Sequence, residues 1–572
     1  MLERCEHTRA ASFAGALLGA LLLLTPALQA QPTRGLGEDA LTPPKGSIRV
    51  QISTSITDFS QRYGRNTAGR RDGSLEPLTA DFSVDTLGVA LFPGLAPAQA
   101  ALRTLTGNND FTLSLGRLAV YSSVRTQVTP VLLEAGISRR LSIGVLVPVV
   151  SARHLVVTDV NPRGVGGNVS FNPARTGTGI DAPTAVNTTL VSQLTAARDQ
   201  LAALLASCTA NAGANASCAS IIANAPAITS SATAFATAIA QVYGTTTTRS
   251  AASQFVPTAG SAADSAIRTR VSAFRTQFTQ YGITALAAST NGPTAAAQAV
   301  TRDGLTNYIT DSSALGIGAA PLGTVTRQGL GDIELSAKFR LFDTFGMAND
   351  TLRFSPRGTS FRQSVAAAVR LGTGTFDTPE HYLDVGTGDG QTDLEFRSLT
   401  DILHNRRFFT SIVGRYTMQL PDQLLRRITD TPEQALAPRW RERTVDRNLG
   451  DVIELSVTPR YMIGDYFSFG AQYLFRRKAQ DTYEGTFEVP TSESGLPAAI
   501  SVDAGTLAIE TAGTEQRLGW GLTFSTFAAH ARGKTKLPIE LQYFNSRTVA
   551  GSGGNVPKLS IHQVQIRFYP RR

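Results

Sequence analysis

Apolar and polar residues alternate strictly in the segment that follows Gly329. Between residues 333 and 341, each apolar side chain is separated from the next by one polar side chain. Successive side chains of a β-strand point to opposite faces, so a period of two predicts a strand. The apolar positions are Ile333, Leu335, Ala337, Phe339 and Leu341, and the polar positions are Glu334, Ser336, Lys338 and Arg340.

Similar segments recur along the chain, each about as long as a tilted strand that crosses a bilayer. The sequence predicts about fourteen strands. Two of them, 78–91 and 111–123, are less regular because their alternation shifts register, and without these two the count is twelve. The predicted strands are Ser47–Thr57, Leu78–Leu91, Phe111–Ser123, Pro130–Ser138, Leu141–Val156, Gly329–Phe342, Ser364–Gly372, Asp393–Leu403, Phe408–Leu420, Val452–Met462, Tyr466–Arg476, Arg517–Phe527, Leu537–Phe544 and Leu559–Tyr569.

The connections between these strands alternate in length. Residues 404–407 and 463–465 are short links, whereas 421–451 and 477–516 are long. Outer-membrane barrels have short periplasmic turns and long extracellular loops. The predicted fold class is therefore all-β: an antiparallel transmembrane outer-membrane β-barrel with an inserted α-helical subdomain. Residues 46–160 form the first part of the barrel and residues 329–572 the remainder.

Residues 161–328 interrupt the strands and are rich in Ala and Thr. Ile267, Val271, Phe274, Phe278 and Tyr281 recur at helical spacing, which predicts an amphipathic helix. The insertion is either an extracellular cap or a plug of the lumen. A self-packed cap is favoured, because inward strand faces that are mostly polar or charged are poor partners for an apolar helix face.

The N-terminal segment predicts the cellular compartment of the protein. Residues 1–30 have the charged start, apolar run and small-residue end of a secretory signal peptide, and residues 31–45 predict a disordered leader. Export leads to an oxidising compartment, where the two remaining cysteines, Cys208 and Cys218, are expected to form a disulfide. The predicted location is the outer membrane of a diderm bacterium.

Charged side chains collect on one face of the predicted strands. Each Arg or Lys facing mid-bilayer would cost roughly 2–4 kcal/mol, so this face must line the lumen. One interpretation is that an excess of cations there selects anionic or aromatic-acid solutes. The interpretation that we prefer is a network of paired charges that fills a narrow barrel. The lumen-facing candidates are Glu334, Lys338, Arg340, Arg370, Glu395, Arg397, Arg415, Glu454, Arg460, Arg476, Arg517, Glu540 and Arg567, with Glu134 beside them.

Several turn-and-strand motifs resemble those of a known family. They are Gly136 to Gly144 ending in Val147-Pro148, Gly329 to Glu334, and Arg370 to Gly374 followed by Gly386 to Gly390. These segments resemble outer-membrane barrels associated with the meta-cleavage pathway of phenol degradation, which are similar in outline to the long-chain fatty-acid transporters. The resemblance implies uptake of small hydrophobic or aromatic compounds, although the long insertion is not a feature associated with that family.

The function expected is thus a channel or transporter, with no catalytic residues and no cofactor. Two alternatives stay open: an adhesin or receptor whose helical insertion binds a partner, and a hydrolase built on the barrel, for which His562 is a candidate. Asp384, Asp389 and Asp393 lie in a Gly-rich loop but lack Ca²⁺-ligand spacing, so no metal site is predicted. Expected partners are outer-membrane lipid and lipopolysaccharide, a small hydrophobic or aromatic solute and the barrel assembly machinery. The net charge of +9 has no basic run, so no nucleic acid is expected.

Overall fold

The computed structural model describes residues 36–64, 72–92, 95–162, 166–176, 179–211, 213, 216–313, 316–345, 358–405, 407–429, 436–490, 499–531 and 533–569. The predicted signal peptide lies outside these residues.

Within this part of the chain, twelve strands form a closed antiparallel barrel. Each strand pairs with its neighbours in the chain, and the first strand pairs with the last, so the sheet has no free edge. The strands are β1 Ile48–Phe59, β2 Leu118–Gly136, β3 Leu141–Val160, β4 Ile333–Asp343, β5 Thr359–Leu371, β6 Asp393–His404, β7 Phe408–Gln419, β8 Val452–Ile463, β9 Phe467–Lys478, β10 Gly513–Ser525, β11 Ile539–Ser552 and β12 Ser560–Phe568.

The count of twelve corrects the count of fourteen, at the two segments with interrupted alternation. Residues 78–91 form turns with one isolated bridge, Val84 to Leu118. Residues 118–123 of the predicted strand 111–123 and most of the predicted strand 130–138 belong to the single strand β2, whereas residues 111–117 are not in a strand. Phe82 and Leu113, one from each segment of interrupted alternation, are buried in a hydrophobic core that also includes Val120 and Val156 at the upper parts of barrel strands. The hydrophobic side chains at these sites are shielded from water, but by other parts of the protein and not by lipid.

The outer surface of the barrel is apolar. Strand parity predicts that eight apolar residues face lipid. Seven of them are 36–57% exposed: Leu335, Phe339, Phe467, Phe469, Tyr473, Leu522 and Phe524. The eighth, Ile333, is only partly exposed, and the polar neighbours in these strands point inward. Such a belt of exposed apolar side chains is the surface that a bilayer covers. The fold is thus a membrane-spanning barrel.

The hydrogen bonding of the wall is interrupted beside β3. The short strand Val325–Leu330 pairs with the upper half of β3, and β4 pairs with the lower half. Between them, the N–H of Gly331 donates to the carbonyl oxygen of Pro148 at 2.9 Å. Pro148 has no N–H to donate in return, so the ladder breaks here.

The two ends of the barrel differ. Residues 137–140 and 464–466 are short turns at one end, where the link between β6 and β7 is equally short, and most of the long connections lie at the other end. By the rule for outer-membrane barrels the first end is periplasmic and the second extracellular. The links 344–358 and 526–538 are longer than the other periplasmic turns, and most of the first lies outside the described residues.

A helical unit packs at the extracellular end. The predicted stripe Ile267, Val271, Phe274 and Phe278 is buried in its core, to which Val156 and Val160 of β3 also belong. Residues 82–115 contribute as well, which the sequence did not predict. Cys208 and Cys218 form a disulfide. The helices are α1 Ala96–Thr106, α2 Asp181–Ala210, α3 Cys218–Val242, α4 Ala262–Thr279 and α5 Arg302–Thr310.

None of the described helices is both long enough and apolar enough to cross a membrane.

Smaller elements complete the extracellular end. A sheet of Asp422–Arg427, Glu442–Asn448 and Thr482–Glu484 shares a core with the hairpin Thr486–Pro490 and Ala499–Asp503. The remaining short strands are Gln61–Tyr63, Leu75–Pro77, Val556–Pro557, Val169–Phe171 and Phe255–Pro257. The remaining short helices are Arg249–Ala251, Arg439–Arg441, Ala504–Ala508 and, in a periplasmic connection, Phe527–Ala531.

Candidate functional site in the barrel lumen

The predicted lumen residues all take the inward-facing parity of their strands. Near the periplasmic end, the guanidinium of Arg340 contacts Asp343 at 3.0 Å and the carbonyl oxygen of Arg139 in a periplasmic turn. Arg476 lines a cavity on the extracellular side.

Most of these charges form one network in the middle of the barrel. Arg397 contacts Glu334 at 2.8 Å and also contacts Glu395. Arg370 contacts Glu395 at 3.0 Å and Asp393 at 2.8 Å. Their side chains are 8% exposed or less, so these are buried ion pairs. The geometry is that of a paired charge network, and the cations are largely neutralised within the wall.

An extended segment, residues 36–46, enters this network from the periplasmic end, and we call it the N-terminal plug. The carboxylate of Glu38 lies 3.4 Å from Arg415, 3.5 Å from Arg397 and 3.9 Å from Lys338. The carboxylate of Asp39 lies 2.7 Å from Arg567 and 3.2 Å from Arg49. Two adjacent acidic residues thus contact five cations on five strands.

Backbone groups of the plug also bond to the wall. The N–H of Leu36 donates to Gln542 at 2.9 Å, and the N–H of Ala40 donates to Asp401 at 3.0 Å. The hydroxyl of Ser364 donates to the carbonyl oxygen of Ala40 at 2.6 Å. A coil in a barrel has no strand partner for its backbone, so wall side chains must supply those hydrogen bonds.

The tip of the plug fits a recess made by glycine. Gly470 of β9 and Gly521 of β10 are directly opposite each other and face inward. A Cβ atom at either position would lie 2.8–3.2 Å from the side chain of Leu36, which is fully buried there. Wall strands with side chains at these two positions would push the tip away.

The plug differs from the disordered leader predicted for residues 31–45. Its described part, residues 36–45, is largely buried, with definite contacts. The segment is rich in Pro and Gly and has no regular spacing of apolar residues, so its sequence did not predict an ordered structure. The signals that were available are the acidic pair Glu38-Asp39 and the inward-facing glycines of the strands.

A cavity of about 150 Å³ lies above the network, beneath the extracellular sheet. Its charged walls are already paired: Arg426 contacts Asp377 at 3.1 Å, and Lys478 contacts Asp481. Burial raises the pKa of Tyr483, which also lines the cavity, to about 12. Its apolar walls are Leu449, Ile509 and Val556. The cavity therefore offers apolar surface together with both hydrogen-bond donors and acceptors.

The structure gives no support to a metal site or a histidine-based catalytic site among the described residues. No group of three or more potential metal ligands is present in this part of the chain. Asp384 pairs with Arg327 at 2.7 Å, and Asp393 pairs with Arg370. His562 contacts the hydroxyl of Tyr543 at 2.9 Å on the outer face of the barrel.

The site therefore belongs to a membrane-spanning barrel with an occupied lumen. No protein-family model and no curated protein sequence matches the chain. Solved structures do match over nearly the whole length. The COG4313 outer membrane channel from Pseudomonas putida F1 has 7% identity and a TM-score of 0.37, covering 93% of this chain and 98% of its own.

Two further structures are similar in the same sense. A TodX mutant, described as a monoaromatic hydrocarbon channel, has 9% identity and a TM-score of 0.25, covering 92% of this chain and 91% of its own. A FadL homologue from Pseudomonas aeruginosa has 7% identity and a TM-score of 0.25, covering 97% of this chain and 99% of its own. These barrels are of the kind that the sequence resemblance implies. At such scores the likeness concerns the outline of the fold and not the solute.

Proposed function

We propose that the protein is an outer-membrane channel for the uptake of small hydrophobic or aromatic compounds, closed at rest by its N-terminal plug. The observation that carries the proposal is a closed barrel whose lumen holds a segment that is not part of the wall. A barrel that served only as a membrane anchor would need no separable plug. Residues 36–46 belong to no strand, so the segment can leave without breaking any strand pairing.

The cavity above the network supports the size and class of the solute. A volume of 150 Å³ is enough for one benzene-sized molecule. Leu449, Ile509 and Val556 offer apolar contact to a ring, and the paired charges nearby can bond a single polar substituent. A solute that rests there has the plug between it and the periplasm.

Swelling of liposomes that contain the purified protein tests the proposal. Graded solutes should be compared for the full chain and for a variant that lacks residues 36–46. Deletion should increase the rate for small aromatic solutes, because the lumen loses its occupant. Equal rates in both proteins, with both barrels correctly folded, would contradict a channel closed by the plug.

Growth on candidate aromatic or fatty-acid carbon sources, with and without the gene, would then identify the solute. A defect confined to one class of carbon source names that class. Growth that is unchanged on every source would contradict an uptake role.

The helical unit is proposed to be an extracellular cap and not a part of the plug. Its apolar faces pack on one another, as where Phe235 meets Phe274 with ring centroids 5.3 Å apart. Protease added to intact cells should cut within Ser207 to Thr258 and leave the barrel in the membrane. Complete protection of that segment would contradict an exposed cap.

A further inference from the structure

A groove of about 450 Å³ lies on the outer surface of the barrel, at the extracellular end of β1 and beside the extracellular halves of β2 and β3. It lies outside the lumen, so solute passage does not involve it. Arg125 of β2 and Arg153 of β3 are directly opposite each other in this groove, and Lys558 lies at its edge. Tyr121 and Leu155 supply apolar surface beside the cations.

The height of the groove places it at the outer headgroup layer. Arg153 follows Leu141, the first residue after a periplasmic turn, by twelve positions along β3. At about 3.3 Å per residue and a tilt of about 40°, Arg153 lies about 30 Å above Leu141. The apolar band of such barrels is about 25 Å tall. The guanidinium is therefore just outside the hydrocarbon, at the level of lipid headgroups.

The charges of the groove are not balanced by the protein. Like charges directly opposite on neighbouring strands repel each other. Asp58 accepts from Arg125 at 2.6 Å. Among the described residues, neither Arg153 nor Lys558 has an ion pair with a carboxylate, and Lys558 donates to the amide oxygen of Gln61 at 3.3 Å. One carboxylate thus faces three cations, which favours an anion from outside the chain.

We propose that this groove binds a phosphate group of an anionic lipid of the outer leaflet, the phosphorylated lipid of that leaflet being lipopolysaccharide. Arg125 and Arg153 donate to the phosphate, since paired guanidinium groups suit phosphate oxygens in a planar, bidentate manner. Lys558 adds a point charge. The acyl chains run down the apolar outer face, over Val149 and Val131. The proposal rests on the membrane orientation given above, but not on the identity or the passage of any solute.

The test is the amount of lipid A that stays with the purified, folded protein. The double variant Arg125→Gln/Arg153→Gln is compared with Arg139→Gln/Arg140→Gln, which removes the same charge from an exposed turn at the periplasmic end. Native mass spectrometry after detergent extraction gives the ratio of lipid to protein. Heat modifiability on gels reports folding, and liposome swelling reports the channel separately.

Loss of the two arginines should lower lipid A retention about tenfold, which corresponds to about 1.4 kcal/mol, while the control retains the wild-type ratio. Swelling should be unchanged in both variants, so failure of the channel proposal is visible on its own.

Nanodiscs loaded with diphosphorylated or dephosphorylated lipid A identify the group that is recognised. Preference for the phosphorylated form, lost in the double variant, supports the proposal. Equal retention of both forms, or equal retention by both double variants, would overturn it. Binding of inorganic phosphate that is as tight as binding of lipid A would also overturn it, because the site would then serve a free anion.

Discussion

Neutralising the acidic pair of the plug, by Glu38→Gln together with Asp39→Asn, should open the channel without unfolding the barrel. Both substitutions keep the shape of the side chain and remove only its charge. The plug would keep its backbone hydrogen bonds to the wall, including that from Ser364 to Ala40. It would lose its ion pairs.

The size of the effect follows from the partners that remain. Removing one member of a buried ion pair costs about 3–5 kcal/mol when it leaves an uncompensated charge. Here the wall cations keep other carboxylates, so the smaller value for a hydrogen bond to a charged group, about 1.5–3 kcal/mol, applies to each substitution. The pairs that remain are Arg415–Glu454, Arg397–Glu334, Arg49–Glu134 and Arg567–Glu540.

The two substitutions together cost at least about 3 kcal/mol, which lowers the ratio of plugged to released lumen at least roughly a hundredfold. Single-channel recording in planar bilayers should show longer or more frequent openings, and liposomes should swell faster. Glu540→Gln is the matched control, because it removes a carboxylate from Arg567 without contacting the plug. The reasoning fails if the double variant conducts like the wild type, or if the control opens to the same extent.

Three further predictions concern the wall, the helical unit and the extracellular sheet. Leu335→Arg should block assembly into membranes far more than Ser336→Arg, since an arginine facing lipid costs roughly 2–4 kcal/mol; equal yields of heat-modifiable barrel would mean that the faces are misassigned. Reduction of Cys208–Cys218, ten residues apart, should lower the stability of the helical unit by about 2–3 kcal/mol, and a free-thiol assay of unreduced protein that detects two thiols would refute the bond. Burial raises the pKa of Tyr483 from 10.0 to about 12, so the contribution of this residue to stability is complete below pH 10 and is lost as the pH rises to about 12. In thermal melts, Tyr483→Phe should remove this part of the loss of stability at alkaline pH. An alkaline stability profile that is unchanged in the variant would count against the burial of Tyr483.

The sequence predicted several strands of the second half closely, because they have a lipid face and a polar face that differ sharply. It missed the first five residues of Thr359–Leu371 and the last eight of Ile539–Ser552. The predicted strand Asp393–Leu403 is Asp393–His404 in the structure, and Phe408–Leu420 is Phe408–Gln419. Alternation failed where apolar residues meet another part of the protein instead of lipid. Phe82 and Leu113 are buried under the helical unit, and a period of two carries no information about that.

The sequence allowed a prediction of which side chains line the lumen, but not that a segment of the chain fills it. Strand parity predicts that residues such as Arg397 and Glu334 face inward, and both are buried in the structure. The plug depends on contacts between residues very far apart in the chain, and Asp39 and Arg567 are separated by 528 positions. A coil without periodicity leaves no local pattern from which such contacts can be inferred.

The same separation fixes an order of assembly. The plug precedes β1, yet its acidic pair binds Arg567 on β12, the last strand of the barrel. It therefore cannot dock until the whole chain has been exported and the wall has closed behind the final strand. Contacts of such long range are slow to form, because the entropy of closing the loop must be lost first. The polar, Pro-rich character of the plug keeps it soluble until the wall is complete. The first described segment of the chain to leave the ribosome is therefore the last to reach its final position.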